Sequence, residues 1–178
     1  MSKCSHIQIE PTTRCNFTCK FCCGRYMKQS DMSFEDYKLI IDSFTELEFL
    51  HLQGEGEPLL HKNIFDMMEY ANKKGVRLSI ITNGSMFTPE TIDNILKYNI
   101  ESLSVSIEWA DHNGFRDFRG GDLSKITNGI KNLLNERNYR RLKKPVIGFT
   151  ATILKDTRKL FHKIVDLYLS LGMDGGVA

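Results

Sequence analysis

A chain of 178 residues is long enough for one domain with its own core and short for two. Hydrophobic residues at 41%, charged residues at 26% and a formal net charge of +2 describe an ordinary globular protein, with no demand for nucleic acid or an anionic membrane as partner. No apolar run approaches the roughly 18 residues that span a bilayer, and the start Met1-Ser2-Lys3-Cys4-Ser5-His6 lacks the apolar stretch of a signal peptide, so a cytoplasmic protein with no membrane partner is expected.

Short β-like runs alternate with amphipathic helical ones. His6–Glu10 reads as a first strand. Ser33, with Asp36 three residues on, caps a helix expected over 33–45 that carries Tyr37, Ile40, Ile41 and Phe44 on one face. Phe49–Gln53 is a second strand; Ile64, Phe65, Met68 and Ala71 form a helical stripe that Gly75 ends. Arg77–Thr82 is a third strand. Thr88-Pro89-Glu90 opens a helix with a capping hydroxyl, a proline in the first turn and an acid at the positive end of the dipole, and Ile92, Ile95 and Leu96 form its buried face. Ser102–Ile107 is a fourth strand, and the stretch from Ser106 to Arg119 reads as its trailing loop. A helix from Leu123 to about Arg137 turns Ile126, Ile130, Leu133 and Leu134 inward, and Arg137–Lys144 reads as an exposed helix end and loop. Val146–Thr152 is a fifth strand, Thr157–Leu171 a last helix stopped at Gly172, and a sixth strand is expected to begin at Met173.

Five strand–helix repeats with helical crossovers imply parallel strands, hence an α/β fold. Within the strands, Ile7 and Ile9 alternate with His6, Gln8 and Glu10, Leu50 and Leu52 with His51 and Gln53, and Leu103, Val105 and Ile107 with Ser104, Ser106 and Glu108. A closed, packed barrel asks for branched apolar residues on both faces. Here one face is polar, which predicts a partial (βα) TIM-type barrel of about five to six βα units, its inner face lining a polar cavity. The whole of 1–178 reads as one core domain, truncated at its C-terminal end or a fragment of a longer protein.

Cys15, Cys19, Cys22 and Cys23 crowd into nine residues, poor geometry for separate disulfides, and an odd total of five cysteines points the same way. Metal binding is the better reading. Cys15, Cys19 and Cys22, with gaps of three and two residues and Phe21 before the last, form a tripod for a cubic iron–sulfur cluster. Such a cluster normally takes four thiolates, so three leave one iron open to a small molecule. The alternative is a structural zinc site, for which Cys23 is the available fourth ligand. Cys4 and Cys23 are otherwise expected to be small buried thiols that bind nothing.

In parallel α/β sheets ligands bind at the carboxyl ends of the strands. The tripod follows the first strand, Gly54-Glu55-Gly56-Glu57-Pro58 the second, Thr82-Asn83-Gly84 the third, Ser106 through Arg119 the fourth and Thr152–Asp156 the fifth. Cys15-x3-Cys19-x-Phe21-Cys22 with Gly54-x-Gly56-Glu57-Pro58 resembles the radical S-adenosylmethionine superfamily. Leu59-Leu60-His61, Thr82-Asn83-Gly84, Val105-Ser106-Ile107 and Phe118-Arg119-Gly120 are similar to its branch with a C-terminal SPASM or twitch extension, which this sequence lacks.

The resemblance implies a [4Fe–4S] cluster on Cys15, Cys19 and Cys22, with the fourth iron chelating the amino and carboxylate groups of S-adenosylmethionine. It implies reductive cleavage to a 5′-deoxyadenosyl radical that abstracts hydrogen from a peptide, protein or small-molecule substrate, with a flavodoxin or ferredoxin as low-potential electron donor. Phe21 is expected beside the adenine, or in simple loop packing. Gly54 and Gly56 permit close backbone approach, and Glu57 accepts from the cofactor's ammonium group. Glu55, which departs from the commoner double-glycine form, is expected to point elsewhere. Asn83 and Ser106 are candidates for the ribose hydroxyls or the methionine carboxylate, or turn formers. Arg119 is the candidate for bidentate pairing with that carboxylate, with Arg116 as competitor. His6, Gln8, His51, Gln53, Glu108 and Thr150 are candidates for the cavity wall, and Trp109 either closes the site or packs. No general acid, base or nucleophile is assigned. The rival functions are a non-catalytic iron–sulfur or zinc module and an inactive core fragment.

Overall fold

The computed structural model describes residues 4–178. Met1, Ser2 and Lys3, which figured in the reading of the chain's start, lie outside the described residues.

Five parallel strands, β1 (His6–Ile9), β2 (Phe49–Leu52), β3 (Arg77–Thr82), β4 (Ile100–Ser106) and β5 (Val146–Thr150), form one sheet in the order β1-β2-β3-β4-β5. Each connection carries helix: α1 (Phe34–Asp42), α2 (Ile64–Lys73), α3 (Pro89–Lys97), then α4 (His112–Arg119) with α5 (Leu123–Tyr139), and α6 (Phe161–Leu171) after β5. Because every strand pairs with its neighbour in sequence, the chain steps one way around the sheet, which is the α/β partial barrel expected.

The faces are set by register. Leu50 lies beside Leu78, Leu52 beside Ile80, Ile80 beside Leu103, and Leu103 beside Ile147, all fully or almost fully buried under the helices. Between Leu78 and Ser79 the register with β4 shifts, Leu78 pairing with Ile100 and Ser79 with Ser102. Glu101 is thereby an extra residue, and both Ile100 and Leu103 reach the apolar face. Sequence alternation breaks at that bulge, so β4 starts two residues before the expected Ser102.

The helix caps form as expected. Ser33 Oγ accepts from Asp36 N at 3.0 Å and Thr88 Oγ1 from Thr91 N at 3.1 Å, while Gly75 and Gly172 follow α2 and α6 with φ of +78° and +67°. Three expectations fail. Residues 112–119 are a helix rather than a loop, capped by Asp111, whose Oδ1 accepts from Gly114 N at 2.9 Å, and closed by Gly120 in the left-handed region. Arg137 is buried rather than exposed: it donates to the Pro145 carbonyl at 2.7 Å and pairs with Asp174 at 2.9 Å. That pair ties α5 to the segment after α6, where Val177 bridges Phe149 in parallel, an isolated bridge where a sixth strand was expected.

Candidate cofactor site

The cysteine loop hangs between two anchors. At its base Thr12 bridges Asp31, Thr12 Oγ1 donating to Asp31 Oδ1 at 2.6 Å, and Arg14 grips the same carboxylate through Nε at 2.9 Å and a second nitrogen at 2.8 Å. At its far side Thr18 N donates to the Arg119 carbonyl at 3.0 Å and Lys20 N to the Phe118 carbonyl at 2.9 Å, so the last turn of α4 holds the backbone on either side of Cys19. Phe17 packs edge-on against Phe115 of α4, centroids 6.3 Å apart. Cys19 is therefore buried, Cys22 half-buried and Cys15 exposed.

All three thiols line one cavity of about 680 Å³ with residues from the ends of all five strands, among them Gly56, Glu57, Asn83, Ser106, Glu108 and Thr152. Among the described residues, no three His, Cys, Asp or Glu side chains surround one point closely enough for a single metal ion. A cubic cluster takes each thiolate on a different iron, and three cysteines lining one cavity suit it.

Each thiol has different company. Asn83 Nδ2 approaches Cys15 Sγ at 3.8 Å. Cys19 Sγ faces the Arg119 carbonyl at 3.9 Å; burial raises its pKa, and the Arg119 charge opposes the rise. Cys22 Sγ donates to Glu55 Oε2 at 3.1 Å, and burial together with that carboxylate pushes its pKa to about 11. Two expectations are corrected at this point. Cys23 is exposed, not buried, and Glu55 turns toward the cysteine loop, where it also accepts from Cys23 and from the Gly24 N–H.

The glycine turn is held from below. Glu10 Oε1 accepts from Glu55 N at 2.6 Å and Gly56 N at 3.2 Å, and a Cβ on Gly56 would overlap the Thr12 carbonyl, so only glycine lets the two loops touch. Glu57 is almost fully buried and already occupied: Oε1 accepts from Thr82 Oγ1 at 2.7 Å and Leu59 N at 3.1 Å, Oε2 from Asn83 N at 2.6 Å. A carboxylate has about four acceptor positions, so about one remains for a ligand. Burial raises the Glu57 pKa and those donors oppose it. Asn83 is likewise committed, donating to Asn16 Oδ1 at 2.9 Å and accepting from Ser85 N at 2.9 Å.

Arg119 lines the cavity, buried, with its guanidinium between Phe17 and Phe115 at 5.9 Å from each centroid and paired with Glu108. Its Nε is buried without a hydrogen-bond partner among the described residues, which suits an anionic ligand group. Arg116 is exposed and bonds Asn113, so it does not compete. Phe21 lines the cavity and stacks on Phe118 at 5.5 Å. Trp109 packs on Phe118 and donates to Asp111 at 2.7 Å, away from the lining.

Of the expected wall residues, Glu108 and Thr150 line the cavity; His6, Gln8, His51 and Gln53 do not. They satisfy one another or neighbours instead, Gln53 Nε2 donating to Gln8 Oε1 at 2.9 Å and His51 bonding Ser79. Sequence reading overlooked Glu10 and Asn16. Each had a signal in position: Glu10 directly follows β1 in step with its polar positions, and Asn16 lies inside the cysteine motif.

The Radical SAM superfamily profile matches residues 9–168. A Pyrococcus furiosus protein described as a tungsten-containing aldehyde ferredoxin oxidoreductase cofactor-modifying protein is 27% identical over 175 residues, covering 95% of this chain and 49% of its own length. An AdoMet-dependent heme synthase of Methanosarcina barkeri is 30% identical over 132 residues, 70% of this chain and 38% of that protein. The chain thus spans half or less of the length of these relatives. Among solved structures, Streptococcus suis SuiB bound to S-adenosylmethionine superposes with a TM-score of 0.75 at 17% identity over 97% of this chain and 38% of SuiB, a likeness of fold.

Proposed function

The chain belongs to the radical SAM superfamily, and from that premise we propose that residues 1–178 form a core domain that binds one [4Fe–4S] cluster and S-adenosylmethionine and initiates radical chemistry. The family uses both cofactors. The observation that supports the reading best is the convergence of Cys15, Cys19 and Cys22 on one cavity lined from all five strand ends.

Cys15, Cys19 and Cys22 would hold the cluster as thiolates, a set of three where four is usual. A cluster bound there would supply the low-potential electron for reductive cleavage of S-adenosylmethionine, the chemistry by which hydrogen would be taken from substrate. Arg119, with its free Nε, pairs with the cofactor's carboxylate, and Glu108 orients it by holding the opposite end of the guanidinium. Glu57 offers its remaining acceptor position to the ammonium group. Asn83 contributes less than expected, because its amide is spent on Asn16 and Ser85; Ser106, half-buried in the lining, is freer to meet a ribose hydroxyl. Phe21 covers one side of the cavity and keeps water from it. Substrate is a peptide, protein side chain or small metabolite, the donor a flavodoxin or ferredoxin, and the compartment a reducing cytoplasm that keeps five thiols free.

Among the described residues no helix is long and apolar enough to cross a membrane. The test is cleavage: dithionite-reduced, anaerobically reconstituted protein converts S-adenosylmethionine to 5′-deoxyadenosine, and Cys19→Ala does not. Zinc uptake without iron would overturn the reading.

A further inference from the structure

Two glutamates flank Gly56, and they do opposite things. Glu57 is buried among protein donors. Glu55 is exposed and reaches the thiol of Cys22 at 3.1 Å.

We propose that the Glu55 carboxylate is a built-in negative charge set against the Cys22 sulfur, which lowers the midpoint potential of the cluster and makes it a stronger reductant; this rests on the cluster reading above. The placement survives loss of the thiol proton on iron binding, because three other contacts hold the residue. Its carboxylate accepts from the Gly24 N–H and the Cys23 thiol, and its backbone N–H donates to Glu10 Oε1 at 2.6 Å. Gly24 is buried against it, and a Cβ there would come within 2.8 Å of the Glu55 Cβ, so the two loops meet at a fixed distance.

The other two ligands are placed differently. Cys15 meets the Asn83 amide at 3.8 Å, an N–H that stabilises added negative charge, and Cys19 lies in the fields of both Arg119 and Glu108, the Arg119 charge being the stronger of the two. Cys22 has a carboxylate directly against its sulfur, Glu55 Oε2 at 3.1 Å, with no cation among its described neighbours to offset that charge. An anion a few ångströms from sulfur disfavours the reduced, more negative cluster, and charge and hydrogen bonding at the sulfurs are among the determinants of cluster potential. Reductive cleavage of a sulfonium needs a strongly reducing electron, which the external low-potential donor must supply against this bias.

The experiment is an anaerobic redox titration of the reconstituted full chain, followed by the electron paramagnetic resonance of the reduced cluster. Glu55→Gln is expected to raise the midpoint so that the reduced-to-oxidised ratio at a fixed poise rises about tenfold, which is 59 mV for a one-electron couple. Because Glu55 is exposed, the difference shrinks as salt is raised, which a merely structural role would not produce. An unchanged or lower midpoint overturns the proposal. Glu55→Ala repeats the reading should the glutamine variant lose its cluster, and loss of cluster in both assigns Glu55 to cluster retention and overturns it too. Wild-type chain that takes up no iron overturns both this proposal and the family reading of the site, at a step before any potential is read.

Discussion

The helix-covered face of the sheet and the rim at its carboxyl ends are built from the same five strands by opposite rules. Under the helices, Leu50, Leu52, Leu78, Ile80 and Leu103 are buried side by side, and their order follows from strand register. At the rim, thiols, carboxylates and amides hold one another through hydrogen bonds between loops far apart in sequence, as when Asn83 reaches Asn16 or Glu57 reaches Thr82. The difference teaches that stability and chemistry are separable here: the apolar face keeps the strands in order, and the rim places groups that the fold does not need.

That separation breaks or holds under substitution. Cys19→Ala is expected to abolish cluster uptake, iron falling from about four per chain to near none, while stability changes by about 1 kcal/mol because little volume is lost; iron analysis beside a thermal melt checks both. Leu103→Ala should do the reverse. Its cost is about 2–5 kcal/mol in urea unfolding, with cluster uptake retained in the fraction that stays folded. Were Leu103→Ala to lose its iron while still folded, the two regions would not be independent.

Glu57→Gln sharpens the boundary, since Glu57 serves both sides. Replacing an acceptor oxygen by NH2 against the Asn83, Leu59 and Thr82 donors should cost about 1–3 kcal/mol. Burial raises the Glu57 pKa above the 4.5 of a free glutamate, so its contribution is fully present below 4.5 and is lost as pH rises through the folded value. The glutamine variant should flatten that part of the stability profile. The smallest effect is at the chain's end. Burial raises the Asp174 pKa, but the Arg137 guanidinium and the Ile147 N–H outweigh it and hold it below 3.8. Its contribution is present above 3.8 and lost as pH falls. With its side chain partly exposed, Asp174→Asn should cost only about 0.5 kcal/mol, and a profile unchanged in acid would show the anchor to be idle.

How much of this was legible in the sequence divides along the same line. Parallel α/β order, the polar inner face and the helix caps follow from local periodicity and capping chemistry, which act over a few residues. What escaped needed contacts across the sheet. The β4 bulge at Glu101 broke the alternation that marks a strand. Helix α4 hid behind Gly114 and a polar composition, although Asp111, Phe115, Phe118 and Gly120 were all in position for it. Arg137 looked like part of a basic loop because its partners, the Pro145 carbonyl and Asp174, lie up to 37 residues away. At the site, the cysteine spacing was plain, but the loops' mutual contacts were not. A lone glutamate between two glycines gives no sign that it turns toward a thiol, and His6, Gln8, His51 and Gln53 gave no sign that they satisfy one another or neighbours rather than line the cavity.

The most direct test of the three-thiolate site with one open iron is Mössbauer spectroscopy of the iron-57-reconstituted chain before and after adding S-adenosylmethionine. About one iron in four should differ from the rest and change its parameters when the cofactor is added. Four equivalent irons, indifferent to the cofactor, would contradict it.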